Sequence, residues 1–219
     1  MKGDVIIVED HHRRAAEAIV ERIAPAILAR DRRSTITVAG ESGSGKSETG
    51  QALADALEAR GIHAVVFGQD DYFVLPPKSN DARRRQDISW VGTGEVRLDL
   101  LDEHLAAARH GADSLTKPLV IYDEDRVTEE ELDLTGARVA IAEGTYTTLL
   151  RNVDTRVFIA RNRLETLDAR MRRGREQFDP YIENVLEIEH EIISAHRARA
   201  DVVLDREYEV EFVTPSVTD

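Results

Sequence analysis

Eight residues constrain this chain more than any other feature of it. Gly40-Glu41-Ser42-Gly43-Ser44-Gly45-Lys46-Ser47 satisfies the pattern G-x-x-x-x-G-K-[ST]. The glycines permit a backbone curl whose N–H groups point inward, and a helix N-terminus behind the curl adds partial positive charge. Such a loop works only between a strand and a helix. Thr35 to Ala39 reads as that strand by its β-branched residues, and residues 46–60 read as the helix, with Leu53 and Leu57 on one face and Gly61 as its stop. The expectation is a cradle for nucleoside triphosphate, built from Gly40, Ser42, Gly43, Ser44, Gly45, Lys46 and Ser47. In it Lys46 reaches the β- and γ-phosphates and Ser47 ligates Mg²⁺.

The rest of the chain repeats the alternation. Further strands are expected at His63–Phe67, Arg138–Ala142, Arg156–Ala160 and Asp201–Leu204. Helices are expected over 11–30 (kinked or restarted at Pro25), over Asp99–Arg109, and from the cap Asp179-Pro180 to about residue 199. Strands separated by helices imply crossovers. The fold class is therefore α/β of the P-loop NTPase type, a mainly parallel sheet of about five strands with helices on both faces. The 219 residues suit one domain over 1–219, with residues 1–33 as an N-terminal strand/helix extension. Residues 72–96 break the rhythm with two adjacent prolines, three adjacent arginines and two glycines, and are expected to form an acceptor-side binding loop.

Composition excludes several alternatives. The chain has no cysteine, so disulfides and thiol catalysis are out. No apolar run approaches bilayer length, and Met1-Lys2-Gly3-Asp4 lacks a signal-peptide layout, so a cytoplasmic protein is expected. A net charge of −13 argues against nucleic acid or anionic membrane as partners. Arginines nevertheless cluster at 83–85 and six times within 161–175, read either as solvated faces or as grips on small anions.

Two acidic signals sit where ligands collect in open α/β sheets, at the carboxyl ends of strands. The second strand runs into Asp70 and Asp71, either of which could ligate Mg²⁺ or take a proton from an attacking hydroxyl, or simply form a turn. A later strand ends in Glu143-Gly144, placing a carboxylate where one that orders a metal would belong.

Taken together, Gly40–Ser47, Gln69-Asp70-Asp71-Tyr72-Phe73, Pro118-Leu119-Val120-Ile121-Tyr122-Asp123 and Glu143-Gly144 resemble the uridine kinase/phosphoribulokinase group of small-molecule kinases. Arg170-Met171-Arg172-Arg173-Gly174-Arg175 and Arg199-Ala200-Asp201-Val202-Val203 fit its layout too. The resemblance covers roughly residues 35–205. It implies phosphoryl transfer from ATP, with Mg²⁺, to a hydroxyl of a nucleoside or other small metabolite, beneath a helical lid over 161–180. By it, Asp70 activates the acceptor and Lys46 and Arg173 assist catalysis. Arg170 and Arg175 meet the nucleotide, and Ser47, Asp71 and Glu143 serve the metal. Tyr72, Phe73, Arg84, Asp87, Tyr122 and Glu143 are the candidates for holding the acceptor. The sequence departs from the uridine kinases in Asp71-Tyr72-Phe73, where they usually carry Ser-Phe-Tyr, and in Glu124-Asp125-Arg126 after the Tyr-Asp pair. The catalytic half matches better than the acceptor half.

Other readings stay open. The cradle is also similar to that of the bacterial HPr kinase/phosphorylase, a protein-serine kinase, although there paired aspartates follow the loop closely. A nucleotide-gated switch with no acceptor is the third reading. Trp90 and Tyr122 read as ligand stacking or as packing. Tyr146, Thr147 and Thr148 read as a pocket border or as a helix start. His11, His12, His190 and His196 show no metal-binding spacing and are expected at the surface. Ile182, Val185, Leu186, Ile192 and Ile193 read as core, with room for a contact between copies in a homo-oligomer.

Overall fold

The structure, a computed structural model, describes Met1, residues 5–162, Glu165 and residues 179–213. β-Branched residues at 34–40 form a wholly buried strand, β1 (Ser34–Gly40). It is flanked by β5 (Val139–Glu143) and β6 (Thr155–Ile159), both parallel to it. Beyond β5 lies β2 (Ala64–Gly68), and beyond β6 lie β7 (Val202–Leu204) and an antiparallel edge strand, β8 (Val210–Phe212). The order β2-β5-β1-β6-β7-β8 contains the five expected parallel strands and one further strand, β8.

Helices cover both faces. On one, α1 (Asp10–Ala29) and α2 (Lys46–Glu58) bury Ile19, Leu53 and Leu57 against Ile36, Val139 and Ile141. On the other, α4 (Leu98–Arg109) buries Leu101 and Leu105 against Phe67, Ala140 and Tyr146. Truncating a fully enclosed side chain such as Leu53 to alanine would cost about 2–5 kcal/mol. Helix α1 runs through Pro25 as one element, and residues 5–9 ahead of it form no strand, contrary to the expected N-terminal strand. The last described helix, α5 (Pro180–Ile193), begins at the Asp179 cap and gives way to a tighter 3₁₀ segment over Ser194–Arg199.

Arg33, just ahead of β1, ties this frame together. Its buried guanidinium donates to the carbonyls of Ala108, Ala112, Leu134 and Ala137 at 2.6–3.0 Å. It thereby satisfies the end of α4 and the chain entering β5 at once.

Two segments differ from expectation. Residues 72–96 are not a plain loop, because Pro77–Gln86 forms a helix, α3, started by proline at its first position. Residues 114–133 form an antiparallel hairpin, β3 (Ser114–Ile121) and β4 (Arg126–Asp133), separate from the main sheet. Pro118 is tolerated there because a two-stranded hairpin has no central strand.

Candidate active site

The cradle has the conformation its glycines allow. Gly43 and Gly45 hold φ of 74° and 92°, a left-handed backbone that turns the loop into α2. At Gly45 there is also no room for a side chain, since a Cβ would collide with the Tyr208 hydroxyl and come within 2.9 Å of His12 Nε2. Tyr208 reaches this point from a left-handed backbone of its own (φ 65°), and its hydroxyl donates to the Ser44 carbonyl. Lys46 Nζ donates to the Glu41 carbonyl at 2.9 Å, which folds the lysine over the loop.

The strand order brings the carboxylates to this loop. β1, β5 and β2 are adjacent and parallel, so Gly40, Glu143 and Asp70 emerge at the same edge of the sheet. The Ser47 hydroxyl donates to Glu143 Oε2 at 3.1 Å. Burial, and next the Asp70 carboxylate, push Glu143 up to about 7, while Lys46 and Ser47 pull it down. A carboxylate pair with a hydroxyl between strand end and cradle is a donor set suited to a hard divalent cation, whose charge would relieve that repulsion. Ser47 and Glu143 thus fit Mg²⁺.

Asp70 is exposed and lines a cavity of about 300 Å³ together with Lys46, Ser47 and Glu143. Asp71, expected at the metal, is not among the lining residues. It is buried, accepting from Lys117 Nζ at 2.8 Å and from the Val120 amide at 2.9 Å, with the Met1 amino group 3.3 Å away. The tight turn at Gln69–Tyr72 points consecutive side chains apart, so one aspartate faces the cavity and the other pins the β3–β4 hairpin. Tyr72, expected at the acceptor, is enclosed in the core, its hydroxyl 2.8 Å from His104 Nδ1. Asp87, also expected there, lies away from the cavity and caps the turn at Ser89.

Phe73, Arg84 and Tyr122 do line the cavity, beyond Asp70. The sequence reading missed their neighbours: Asn80 and Asp81 on α3, and Glu189 on α5. Glu95 organises this wall from behind. Fully enclosed, it takes two bonds of 2.6 Å from Arg84, one of 2.8 Å from Asn80 Nδ2 and one of 3.1 Å from the Gly92 amide. Trp90 serves packing, donating to Asn80 Oδ1 at 2.9 Å with Arg83 over its ring. Tyr146 and Thr147 are buried, Tyr146 in the core beside α4.

The histidines depart from expectation. His12 and His196 are buried, and burial lowers His12 to about 4, leaving it neutral beside the cradle. His190 Nδ1 lies 2.6 Å from Glu41 Oε1, joining α5 to the cradle. His11, His12 and Glu9 place ligand atoms within 4.8 Å of one another, although Glu9 and His12 already cap α1. Arg170, Arg173 and Arg175 lie outside the described residues. No described helix is long and apolar enough to cross a membrane.

Comparison with known proteins agrees with this geometry. The sequence model of the phosphoribulokinase / uridine kinase family matches residues 35–163. The bifunctional alpha-galactosidase/sucrose kinase AgaSK of Mediterraneibacter gnavus is 30% identical over 191 residues, 81% of this chain. The chain spans only 20% of that protein's length. Among solved structures, a putative fructose transport system kinase from Silicibacter sp. TM1040 superposes with a TM-score of 0.59 at 19% identity, over 86% of this chain and 93% of that one. A possible uridine kinase from Bacillus stearothermophilus gives 0.55 at 21% identity, over 84% and 96%. D-glycerate 3-kinase from Cryptococcus neoformans gives 0.59 at 12% identity, over 94% and 100%. At these identities the superpositions speak for the fold. The match of the family's own pattern, which spans cradle, Asp70 and Glu143, goes further: this chain belongs to the phosphoribulokinase / uridine kinase family of small-molecule kinases.

Proposed function

We propose that the chain transfers the γ-phosphoryl group of ATP to a hydroxyl of a small metabolite bound at the Asp70 end of the cavity. The observation that carries this reading is the shared cavity: Lys46 and Ser47 of the cradle open into the same space as Asp70 and the Arg84 wall. A nucleotide on the cradle and an acceptor against α3 would therefore meet at Asp70.

The cradle's amides and Lys46 hold the β- and γ-phosphates. Ser47 and Glu143 would hold Mg²⁺, which supplies charge neutralisation across the phosphates when bound. Asp70 orients the acceptor hydroxyl and takes its proton. The hydroxyl oxygen forms a bond to the γ-phosphorus as the bond to the bridging oxygen breaks, and ADP leaves with that electron pair. Positioning and charge stabilisation supply most of the acceleration in this chemistry. The lid role of Arg170, Arg173 and Arg175 rests on the family resemblance alone.

The test is ADP release with and without a panel of small hydroxyl compounds. Strong stimulation by one compound, recovered as its phosphate ester, is the expected result. Slow release indifferent to every compound would favour a nucleotide switch, and label found on protein serine would favour an HPr-type kinase.

A further inference from the structure

Helix α5 touches both halves of the cavity through neighbouring residues. On the nucleotide side, His190 Nδ1 lies 2.6 Å from Oε1 of Glu41, the buried second residue of the cradle. With the carboxylate as acceptor, Nδ1 is the donor. On the acceptor side, Glu189 Oε1 lies 3.3 Å from Arg84 Nη2, and Arg84 gives Nε and Nη2 to Glu95 at 2.6 Å each. Glu95 in turn holds Asn80 of α3 and the Gly92 amide. α5 meets that turn as well, since a Cβ on Gly92 would stand 3.1 Å from Ile192 Cδ1. Residues 189, 190 and 192 of one helix therefore contact the Arg84 wall, the cradle and the turn behind the wall. Val185, Leu186 and Ile193 bury the helix between them, so a shift at His190 is carried to Glu189 by a packed, rigid element.

The cradle end of this chain of contacts includes a bond that nucleotide changes. Lys46 Nζ donates to the Glu41 carbonyl at 2.9 Å, and the Ser44 amide donates to the same oxygen at 3.1 Å. A triphosphate on the cradle draws Lys46 to its β- and γ-phosphates and takes that bond from Glu41. The residue whose carbonyl is released is the one whose carboxylate holds α5. We propose that His190 is a positioning residue coupling the two halves of the site. Through Glu41 and α5, nucleotide on the cradle firms the Arg84–Glu95–Asn80 wall, and the wall then takes the acceptor; what it takes rests on the phosphoryl-transfer reading. By linkage, an acceptor on the wall strengthens nucleotide binding by the same factor.

Hydrogen exchange of the α3 amides, with and without saturating Mg²⁺ and a non-hydrolysable β,γ-imido ATP analogue, tests the coupling before any acceptor is known. In wild type, exchange over residues 80–86 should slow by about 10-fold when the analogue binds. His190→Ala, a change at a half-exposed side chain, should bring that ratio below about 2-fold at full occupancy of the cradle. His190→Asn, whose side-chain N–H stands where Nδ1 does, should restore at least about 5-fold. A His190 that only supports the fold would speed exchange with and without the analogue alike and leave the ratio at its wild-type value. That result, an absence of slowing in wild type, or a failure of asparagine to restore what alanine removes would overturn the assignment. The transfer reading falls on a different result, a compound panel that stimulates no ADP release, which leaves the exchange ratio as it is.

Discussion

The Ser47 hydroxyl donates to Glu143 Oε2 at 3.1 Å, joining the last residue of the phosphate cradle to the carboxyl end of β5. This contact converts two distant sequence signals into one site. It also concentrates negative charge, because Asp70 faces Glu143 and raises it further.

That repulsion has a consequence for stability. Glu143 is raised from 4.5 to about 7, so the folded chain holds a proton that the unfolded chain gives up. The stabilisation is full below pH 4.5 and is lost as pH rises through about 7. Glu143→Gln keeps a partner for Ser47 and never ionises. Its melting temperature should match wild type near pH 5 and exceed it by several degrees near pH 8, while Mg²⁺-dependent turnover falls by about 100-fold or more. Melting curves across that pH range check the first part, and a variant with the wild-type pH dependence would remove the charge coupling.

The two adjacent aspartates should separate cleanly. Asp70→Asn should lower kcat by about 10²–10⁴-fold and leave the melting temperature nearly unchanged. Asp71→Asn should do the reverse, because it strips a charge partner from buried Lys117 and costs about 2–4 kcal/mol. Paired melts and kcat values for the two variants decide it.

Why one aspartate and not the other was legible in the sequence is a matter of geometry. The glycine spacing of residues 40–47 fixes the cradle, and the placement of ligands at strand ends picks out Asp70 and Glu143. Which of two consecutive carboxylates faces the cavity depends on the turn at Gln69–Tyr72, and no spacing rule encodes that. Glu189 and Asn80 were invisible for a different reason: α5 and α3 deliver them by packing. The 114–133 hairpin was hidden by Pro118 and by the acidic run Glu129–Glu131, which weaken its strand character. His12 reads as a surface residue until Tyr208 covers it.

Arg33 carries a structural prediction. Replacing it with leucine would take the guanidinium from four carbonyls at once; those of Ala108 and Leu134 keep the Gly111 and Ala137 amides, and those of Ala112 and Ala137 lose the donor that Arg33 gives them. The expected loss is about 3–5 kcal/mol, seen as a lowered urea midpoint with an unchanged slope.

Lys46→Ala should reduce kcat by about 100-fold or more while the fold persists, since Lys46 is only partly covered and bonds, among the described residues, to the Glu41 carbonyl. Circular dichroism and nucleotide turnover on the same sample check both halves.

The central claim is that Asp70 hands a small hydroxyl acceptor to the γ-phosphorus of a nucleotide on the 40–47 cradle. Incubating the chain with γ-labelled ATP, Mg²⁺ and a panel of small hydroxyl compounds, then following label into the small-molecule fraction, tests it most directly. The account predicts label on one of these compounds with wild type, and almost none with Asp70→Asn although that variant still binds nucleotide. Label released only as inorganic phosphate, or transfer by Asp70→Asn at the wild-type rate, would contradict it.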